Sequence, residues 1–223
     1  MGILIVFLVA GALFGFPLVV QGPEQERHQP GLWSKEAIVL SYVEGNRRLK
    51  LLSLDGEKAV SIEDTALAVE INGKRARGTE SYGVGTLAEL AWSPDSRAFF
   101  VTQSDGGNVG TWYVDVFLLS KVGIRRVDIA KQAKKEFMTT YKCVTAGDPT
   151  ANEQPNIAAL KWLNGSNKLL LVAEVPPHSS CPEMGKLMGY VVSVPSGRVL
   201  QRYKERELRK TWSPVFGERL STK

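Results

Sequence analysis

Short apolar stretches alternate with short polar turns along most of the chain, a pattern typical of consecutive antiparallel β-strands. Residues 87–107, LAELAWSPDSRAFFVTQSDGG, show it most clearly. One apolar stretch ends at Trp92, a polar turn follows, and a second apolar stretch ends before Asp-Gly-Gly. Pro94 fixes φ at the first turn position, and the Asp95 side chain can accept hydrogen bonds from the turn's own backbone. The stretch therefore predicts a β-hairpin.

The hairpin pattern recurs, which predicts a repeat. Residues 157–175 contain an apolar stretch ending at Trp162, a turn at Asn164-Gly165 and a second apolar stretch, and a weaker copy begins at Trp33. Each copy predicts a meander of up to four antiparallel strands. The strands predicted after the tryptophans are residues 98–103, 112–119 and 124–129; residues 169–175, 187–194 and 198–203; and residues 37–43, 48–54 and 57–62.

The fold class that follows is all-β. Several predicted strands are apolar on both faces, which favours sheets stacked between neighbouring sheets. The Trp-Ser-Pro-Asp turn at residues 92–95, followed by an apolar strand, resembles the blade repeat of TolB-type and related WD40-like β-propellers; Ser96 stands where that family usually has glycine. Three units are fewer than the usual four to eight blades. The resemblance therefore implies a small, partial or distorted β-propeller, and a β-sandwich is the alternative.

The N-terminus predicts export. Residues 1–20 carry no charged side chain, and their apolar run has the length of a signal peptide. We therefore interpret residues 1–22 as a signal peptide or, alternatively, an uncleaved N-terminal anchor, residues 23–35 as a linker, and residues 36–223 as the propeller-like domain. Either interpretation places the domain outside the cytoplasm, periplasmic or secreted, and bound to a membrane only if the segment is retained.

The first unit lacks an inner strand of its own, because Pro30-Gly31 occupies the expected place. The C-terminal sequence RKTWSP, residues 209–214, repeats part of the tryptophan motif. We expect residues 208–212 to supply that strand, beside residues 37–43.

The chain has two cysteines, Cys143 and Cys181. Export places them in an oxidising compartment, which predicts one disulfide. Both fall in loops that the blade pattern assigns to the same face. The alternative is a pair of free thiols that bind a metal together with His178, although a fourth ligand cannot be named.

Charge and motif content narrow the classes of function. The formal net charge is +5, and most of the excess lies in residues 202–223, which we interpret as a solvated surface rather than a nucleic-acid site. Of two histidines only His178 lies outside the linker, and no nucleophile elbow, phosphate loop or calcium loop occurs. Asp115, within an apolar strand, predicts a hydrogen-bonded structural carboxylate. We therefore expect no cofactor, no bound metal and no catalytic site.

Long predicted loops gather on one face of the repeat, and such loops commonly carry recognition. This pattern predicts a binding or scaffold module for a protein, peptide or glycan. The candidate binding residues are Asp105, Asn108, Tyr141 and His178. The alternative is a hydrolase-like enzyme on the same face, built from carboxylates such as Asp105 and Asp148.

Overall fold

The computed structural model describes residues 29–41, 50–63, 65–78, 82–85, 87–121, 123–144 and 154–221. The predicted signal peptide or anchor, residues 1–22, lies outside these ranges. Within them, no helix combines the length and the apolar character needed to cross a membrane.

Thirteen strands in these ranges form three antiparallel sheets. The first sheet contains β2 (Lys50–Leu52), β3 (Lys58–Glu63), β4 (Ala66–Ile71) and β5 (Lys74–Arg75). The second contains β1 (Ile38–Ser41), β6 (Leu87–Trp92), β7 (Ala98–Ser104), β8 (Trp112–Leu119) and β9 (Ile124–Val127). The third contains β10 (Asn156–Leu163), β11 (Lys168–Glu174), β12 (Leu187–Ser193) and β13 (Val199–Lys204). The predicted all-β fold of meander sheets is confirmed.

Three helices complete the described structure: α1 (Lys131–Thr140), α2 (Glu205–Trp212) and α3 (Glu218–Ser221), with short 3-10 turns at Gly107–Val109 and Ser213–Val215.

The three sheets share one repeat geometry at their first hairpin. Matching cross-strand pairs next to the turn are Leu52 with Ala59, Trp92 with Phe99, and Trp162 with Leu169. Six residues separate the partners in every case. The three sheets are therefore equivalent units, and Leu52 occupies the position of Trp92 and Trp162.

Two predictions about the first unit are wrong. Residues 37–43 do not form the second strand of that unit; Ile38–Ser41 forms β1, which pairs instead with β6 at the edge of the second sheet. Residues 63–85, to which the repeat pattern assigned no strand, contain β4 and β5, joined through Asn72 and Gly73, which both have positive φ. The Asn-Gly pair is the usual sequence of a tight hairpin turn, so this signal was present but was given too little weight.

The sheets are stacked, as the two-sided apolar strands predicted. One core lies between the first and second sheets and includes Val60, Leu67, Phe99 and Phe117. A second core lies between the second and third sheets and includes Phe100. The helix α1 joins this second core through its buried residues Ala133 and Phe137. The middle sheet is thus buried on both faces.

A third core covers the far face of the third sheet, where Leu208, Phe216 and Leu220 are buried. The predicted strand at residues 208–212 is wrong, because this segment lies in the helix α2. Its sequence, ERELRKTW, favours a helix: Glu205 and Arg209 form an ion pair one turn apart at 3.0 Å. The C-terminal segment nevertheless reaches the start of the domain, where Lys35 N–H donates to Val215 O.

Residues 29–35 belong to the segment interpreted as a linker. Here Trp33 and Ser34 are fully buried, and Ser34 Oγ donates to the carbonyl of Leu160 in β10. This part of the chain packs into the third core rather than lying free of the domain.

Candidate functional site

The predicted disulfide is present. Cys143 follows α1, Cys181 lies in the connection between β11 and β12, and the two are bonded with their Cα atoms 5.7 Å apart. That separation is normal for a disulfide. A Glu183 carboxylate oxygen lies 3.1 Å from Cys143 Sγ. Because the sulfurs are bonded to each other, they are not the free thiolates that the alternative metal site requires.

The bonded connection, residues 175–186, forms a compact loop. Gly185 N–H donates to Val175 O at 2.9 Å and closes its base, and Cys181 N–H donates to Ser179 Oγ at 3.1 Å. Ser179 and Cys181 are buried, whereas His178 is exposed and Met184 is 59 % exposed. The loop therefore presents an imidazole and a thioether on a fixed backbone.

Tyr141 ends α1 beside this loop. Its ring packs on Phe137, with centroids 4.8 Å apart, and is partly exposed. Burial, together with the nearby carboxylates of Glu205 and Glu183, raises the pKa of the Tyr141 phenol. The phenol therefore stays protonated at neutral pH and can donate a hydrogen bond.

The other two predicted binding residues lie in the connection between β7 and β8. Asp105 accepts a hydrogen bond from Thr111 N–H at 2.7 Å, so its carboxylate closes this connection. The Asn108 carbonyl accepts a hydrogen bond from Arg219 at 3.0 Å. Among the described residues, no hydrogen bond, ion pair or ring contact joins Asp105 or Asn108 to Tyr141 or His178, and the four predicted binding residues come from different connections of the chain. Asp148 lies outside the described residues.

Arg219 is a residue that the sequence analysis missed. Its guanidinium lies 4.6 Å from the ring centroid of Trp33 and 5.8 Å from that of Trp112, and it pairs with the fully buried Glu174 at 3.0 Å. This cluster ties the C-terminal segment to the β-sheets. The available signal was Glu174 itself, a charge at the end of an otherwise apolar strand.

Asp115 is a hydrogen-bonded structural carboxylate, as predicted. It accepts hydrogen bonds from Tyr82 at 2.6 Å and from Arg126 at 2.7 Å, and Gln103 donates to the Tyr82 hydroxyl at 2.7 Å. Burial, and then the Asp115 charge, raise the pKa of Tyr82 far above its usual range. The network joins the first two sheets.

Two cavities near the sheets differ in the chemistry of their linings. The larger, about 380 Å³, lies beside the first hairpin turns of the sheets. We call this side of the molecule the short-turn face. Its lining is almost wholly apolar, with one ion pair between Glu36 and Lys161. The apolar lining residues are Ile38, Leu51, Leu52, Leu54, Leu90, Ala91, Trp92, Pro94, Phe100 and Trp162. The sequence analysis did not predict this site, because its residues come from all three units.

The smaller cavity, about 260 Å³, lies beside the start of α1 and has a charged lining that includes Arg126, Asp128, Lys131 and Lys134. Asp128 Oδ1 accepts a hydrogen bond from Ala130 N–H at 3.0 Å, and Arg126 is paired with Asp115. Two of its charged groups are therefore already engaged within the fold.

No protein-family model matches the sequence, and no curated protein sequence is significantly similar to it.

Proposed function

We propose that the protein is a non-enzymatic binding or scaffold module that acts outside the cytoplasm and recognises a protein, peptide or glycan through its long-loop face. The observation that carries this proposal is the disulfide-bonded loop 175–186. A surface held in one conformation before binding loses less conformational entropy when a partner docks. His178, Met184 and Tyr141 supply polar and apolar contacts on that fixed backbone.

The disulfide also supports the proposed compartment. Such bonds form and persist in the periplasm and outside the cell and are uncommon in the cytosol. Together with the charge-free apolar N-terminus, it favours a periplasmic or secreted protein, or one that is held at the membrane by an uncleaved N-terminal segment.

The relationship to TolB-type and WD40-like propellers is part of the proposal. Three meander sheets with the same first hairpin support it. So do the two tryptophans, whose indole N–H groups each donate to the preceding unit: Trp92 to Leu51 O at 3.3 Å and Trp162 to Ala91 O at 3.2 Å. We propose a partial propeller on this basis.

The alternative hydrolase is less well supported. Asp105, which it would use, is already bonded to its own connection, and no described contact brings a second carboxylate or His178 to it.

The experiment is capture of partners from the extracytoplasmic fraction of the source cells, identified by mass spectrometry. The double variant His178→Ala/Met184→Ser should lose the partner, because both side chains are exposed and contribute little to folding. Leu200→Ser, which changes an exposed apolar residue on β13, is the matched control and should retain it. Equal capture by all three proteins would contradict loop-face recognition.

A second variant tests the role of the disulfide. Cys143→Ser/Cys181→Ser opens a loop of sequence separation 38 and should destabilise the fold by about 4 kcal/mol on the chain-entropy account. Binding, measured at a temperature where this variant is still folded, should weaken, since the loop is no longer fixed.

A further inference from the structure

The inner edge of β2, which is the edge that does not pair with β3, has main-chain groups that point away from its sheet. Ser53 N–H donates to Lys58 O at 2.9 Å and sets the register of the β2–β3 hairpin. Hydrogen-bonded and non-bonded pairs alternate in an antiparallel ladder. Leu51 is therefore bonded to Val60, and the N–H and C=O groups of Lys50 and Leu52 point outward. Among the described residues, β2 has no strand partner on that side.

In the second unit the equivalent edge is filled by another strand. Ser93 N–H donates to Ala98 O at 2.8 Å and sets the same register. The main-chain N–H and C=O groups of Leu90 therefore point outward from β6. There β1 lies antiparallel, with Ile38 opposite Leu90. Because Leu52 and Trp92 are equivalent, Lys50 is equivalent to Leu90. The molecule thus shows in one unit how a strand is added to an edge for which no described residue supplies a partner in the neighbouring unit.

The larger cavity adjoins this open edge and suits apolar side chains of an added strand. The indole N–H groups of Trp92 and Trp162 are already bonded to carbonyls, so the two tryptophans offer mainly hydrocarbon surface. Leu52 and Leu54 on the rim are 57 % and 73 % exposed. Leu51 faces the second sheet, so residues of an added strand on the same side as Leu51 would enter the cavity.

The face of β2 opposite to that of Leu51 carries the charged side chain of Lys50. The Lys50 ammonium is about half exposed and pairs with Glu70 at 2.6 Å. Opposite charges that face each other across paired strands are favourable. A residue placed opposite Lys50 should therefore be acidic, and the next residue, opposite Leu51 on the cavity side, should be aliphatic.

We infer that the inner edge of β2 is a strand-addition site for an extended peptide that pairs antiparallel to β2, with an acidic residue opposite Lys50 and an adjacent aliphatic residue, opposite Leu51, whose side chain enters the 380 Å³ cavity. The site lies at the short-turn face. It does not depend on the proposed loop-face recognition, and variants at His178 and Met184 leave it unchanged.

The probe is the peptide acetyl-Thr-Val-Glu-Val-Thr-amide, titrated into the mature protein and followed by tryptophan fluorescence and by amide chemical shifts. We expect saturable binding with the largest shifts at Lys50, Leu51, Leu52 and the Trp92 indole. Replacing the central Glu of the peptide by Lys should weaken binding about fivefold. N-methylation of the same residue's amide should weaken it about tenfold, because that N–H is expected to bond to β2.

Variants of the protein test the same geometry. Lys50→Glu, at an exposed position, should reverse the preference so that the peptide with Lys binds more tightly than the peptide with Glu. Leu52→Pro removes an outward N–H without touching the bonds to β3 and should abolish binding. Leu200→Ser, which changes an exposed residue of β13 outside the cavity lining, is the control and should bind within about twofold of the wild type.

Absence of saturable binding at millimolar peptide would overturn the inference. Equal affinities for the peptides that differ in the central charge or in the N-methyl group would also overturn it. So would chemical-shift changes confined to the loop face. If Leu52→Pro fails to fold, as judged by its circular dichroism spectrum, the charge reversal and the N-methylated peptide still decide the question.

Discussion

At the scale of single residues, the Ser-x-Asp turn explains how neighbouring units are joined. In the second unit Ser93 Oγ donates to Asp95 at 2.8 Å, and Asp95 accepts Arg97 N–H at 3.2 Å. Ser53 and Asp55 make the same bonds in the first unit. Hydrogen bonds from Lys58 and Ser53 lower the pKa of Asp55 to about 2, so its carboxylate is charged at neutral pH.

Ser96, which stands where the TolB-type repeat that the turn resembles usually has glycine, makes a hydrogen bond that glycine cannot supply. Its φ is +55°, where Gly56 of the first unit has +72°. The Ser96 hydroxyl accepts a hydrogen bond from Asp55 N–H at 3.2 Å. Ser166, at the same position in the third unit, donates to Asp95 in turn. In the second and third units, this serine thus links the unit to the one before it.

We predict that Ser96→Ala lowers the free energy of unfolding by about 1 kcal/mol, because it removes this bond while the strained φ persists. Ser96→Gly should cost less, since relief of the left-handed strain, about 1–2 kcal/mol, offsets the lost bond. Urea denaturation of the two variants measures the difference. A larger loss in the glycine variant would show that the bond outweighs the strain.

Glu89 is a second residue whose environment has a measurable consequence. It is 1 % exposed, and its Oε2 accepts Trp33 N–H at 3.0 Å. Its other oxygen has no hydrogen-bond partner among the described residues. Burial raises the pKa of the Glu89 carboxyl to about 8, although main-chain N–H groups of residues 32–34 oppose the shift.

This pKa predicts a pH dependence of stability. The unfolded chain releases the Glu89 proton near the ordinary pKa of 4.5, whereas the folded protein holds it until about pH 8. Between these values the folded state binds more protons, so its stability falls as pH rises, by about 1.4 kcal/mol per pH unit from this group. Glu89→Gln should remove that decline, as followed by urea denaturation from pH 5 to 8.5. The exposed control Glu57→Gln should retain it, and an unchanged slope in Glu89→Gln would refute the assignment.

At the scale of elements, the C-terminal helices act as the outer cover of the third sheet. Leu208, Val215, Phe216 and Leu220 are all buried there, and Gly217 N–H donates to Trp33 O at 2.8 Å. The segment therefore closes a core that the third sheet would otherwise expose.

We predict that truncation after Glu207 prevents stable folding, because it removes those four buried side chains. Phe216→Ala alone should cost about 3–5 kcal/mol. Thermal melting followed by circular dichroism tests both, with the exposed Thr211→Ala as control. A truncated chain with the same melting temperature as the full-length protein would show that the helices are dispensable.

At the scale of the whole molecule, the middle sheet makes the three units interdependent. Phe99 packs toward the first sheet, with its ring 4.9 Å from that of Phe117, and Phe100 packs toward the third, 6.1 Å from Trp162. Neighbouring residues on one strand thus belong to two different cores.

We expect the domain to unfold in one cooperative step. Phe99→Ala and Phe100→Ala should each lower the free energy of unfolding by about 3–5 kcal/mol and leave a single transition. Coincident curves from far-ultraviolet circular dichroism and tryptophan fluorescence would establish this. Two separated transitions in either variant would instead show that a pair of sheets folds without the third.

Much of the fold could be predicted from local pattern. Strands β8 and β12, the helix at Lys131–Thr140 and the Cys143–Cys181 pair were all foreseeable, because apolar periodicity, turn residues and cysteine parity are local or compositional signals. For the candidate loop site, the sequence could predict only that long loops gather on one face, because the conformation of the loop depends on the disulfide. The cavity at the short-turn face was not foreseeable, because it arises where three distant strands converge.

The sequence by itself determined that this chain forms short antiparallel strands in repeated units, since alternation and turn chemistry act over a few residues. Only the tertiary structure decided where each strand went. Ile38–Ser41 joined the second sheet because the β6 edge offered it hydrogen bonds, and residues 208–212 became helical because charged pairs and a buried face favoured a helix against the third sheet. Trp33 entered the core for the same reason: the partners that bury it, Trp112 and Phe216, lie far away in sequence and meet it only after the sheets have stacked.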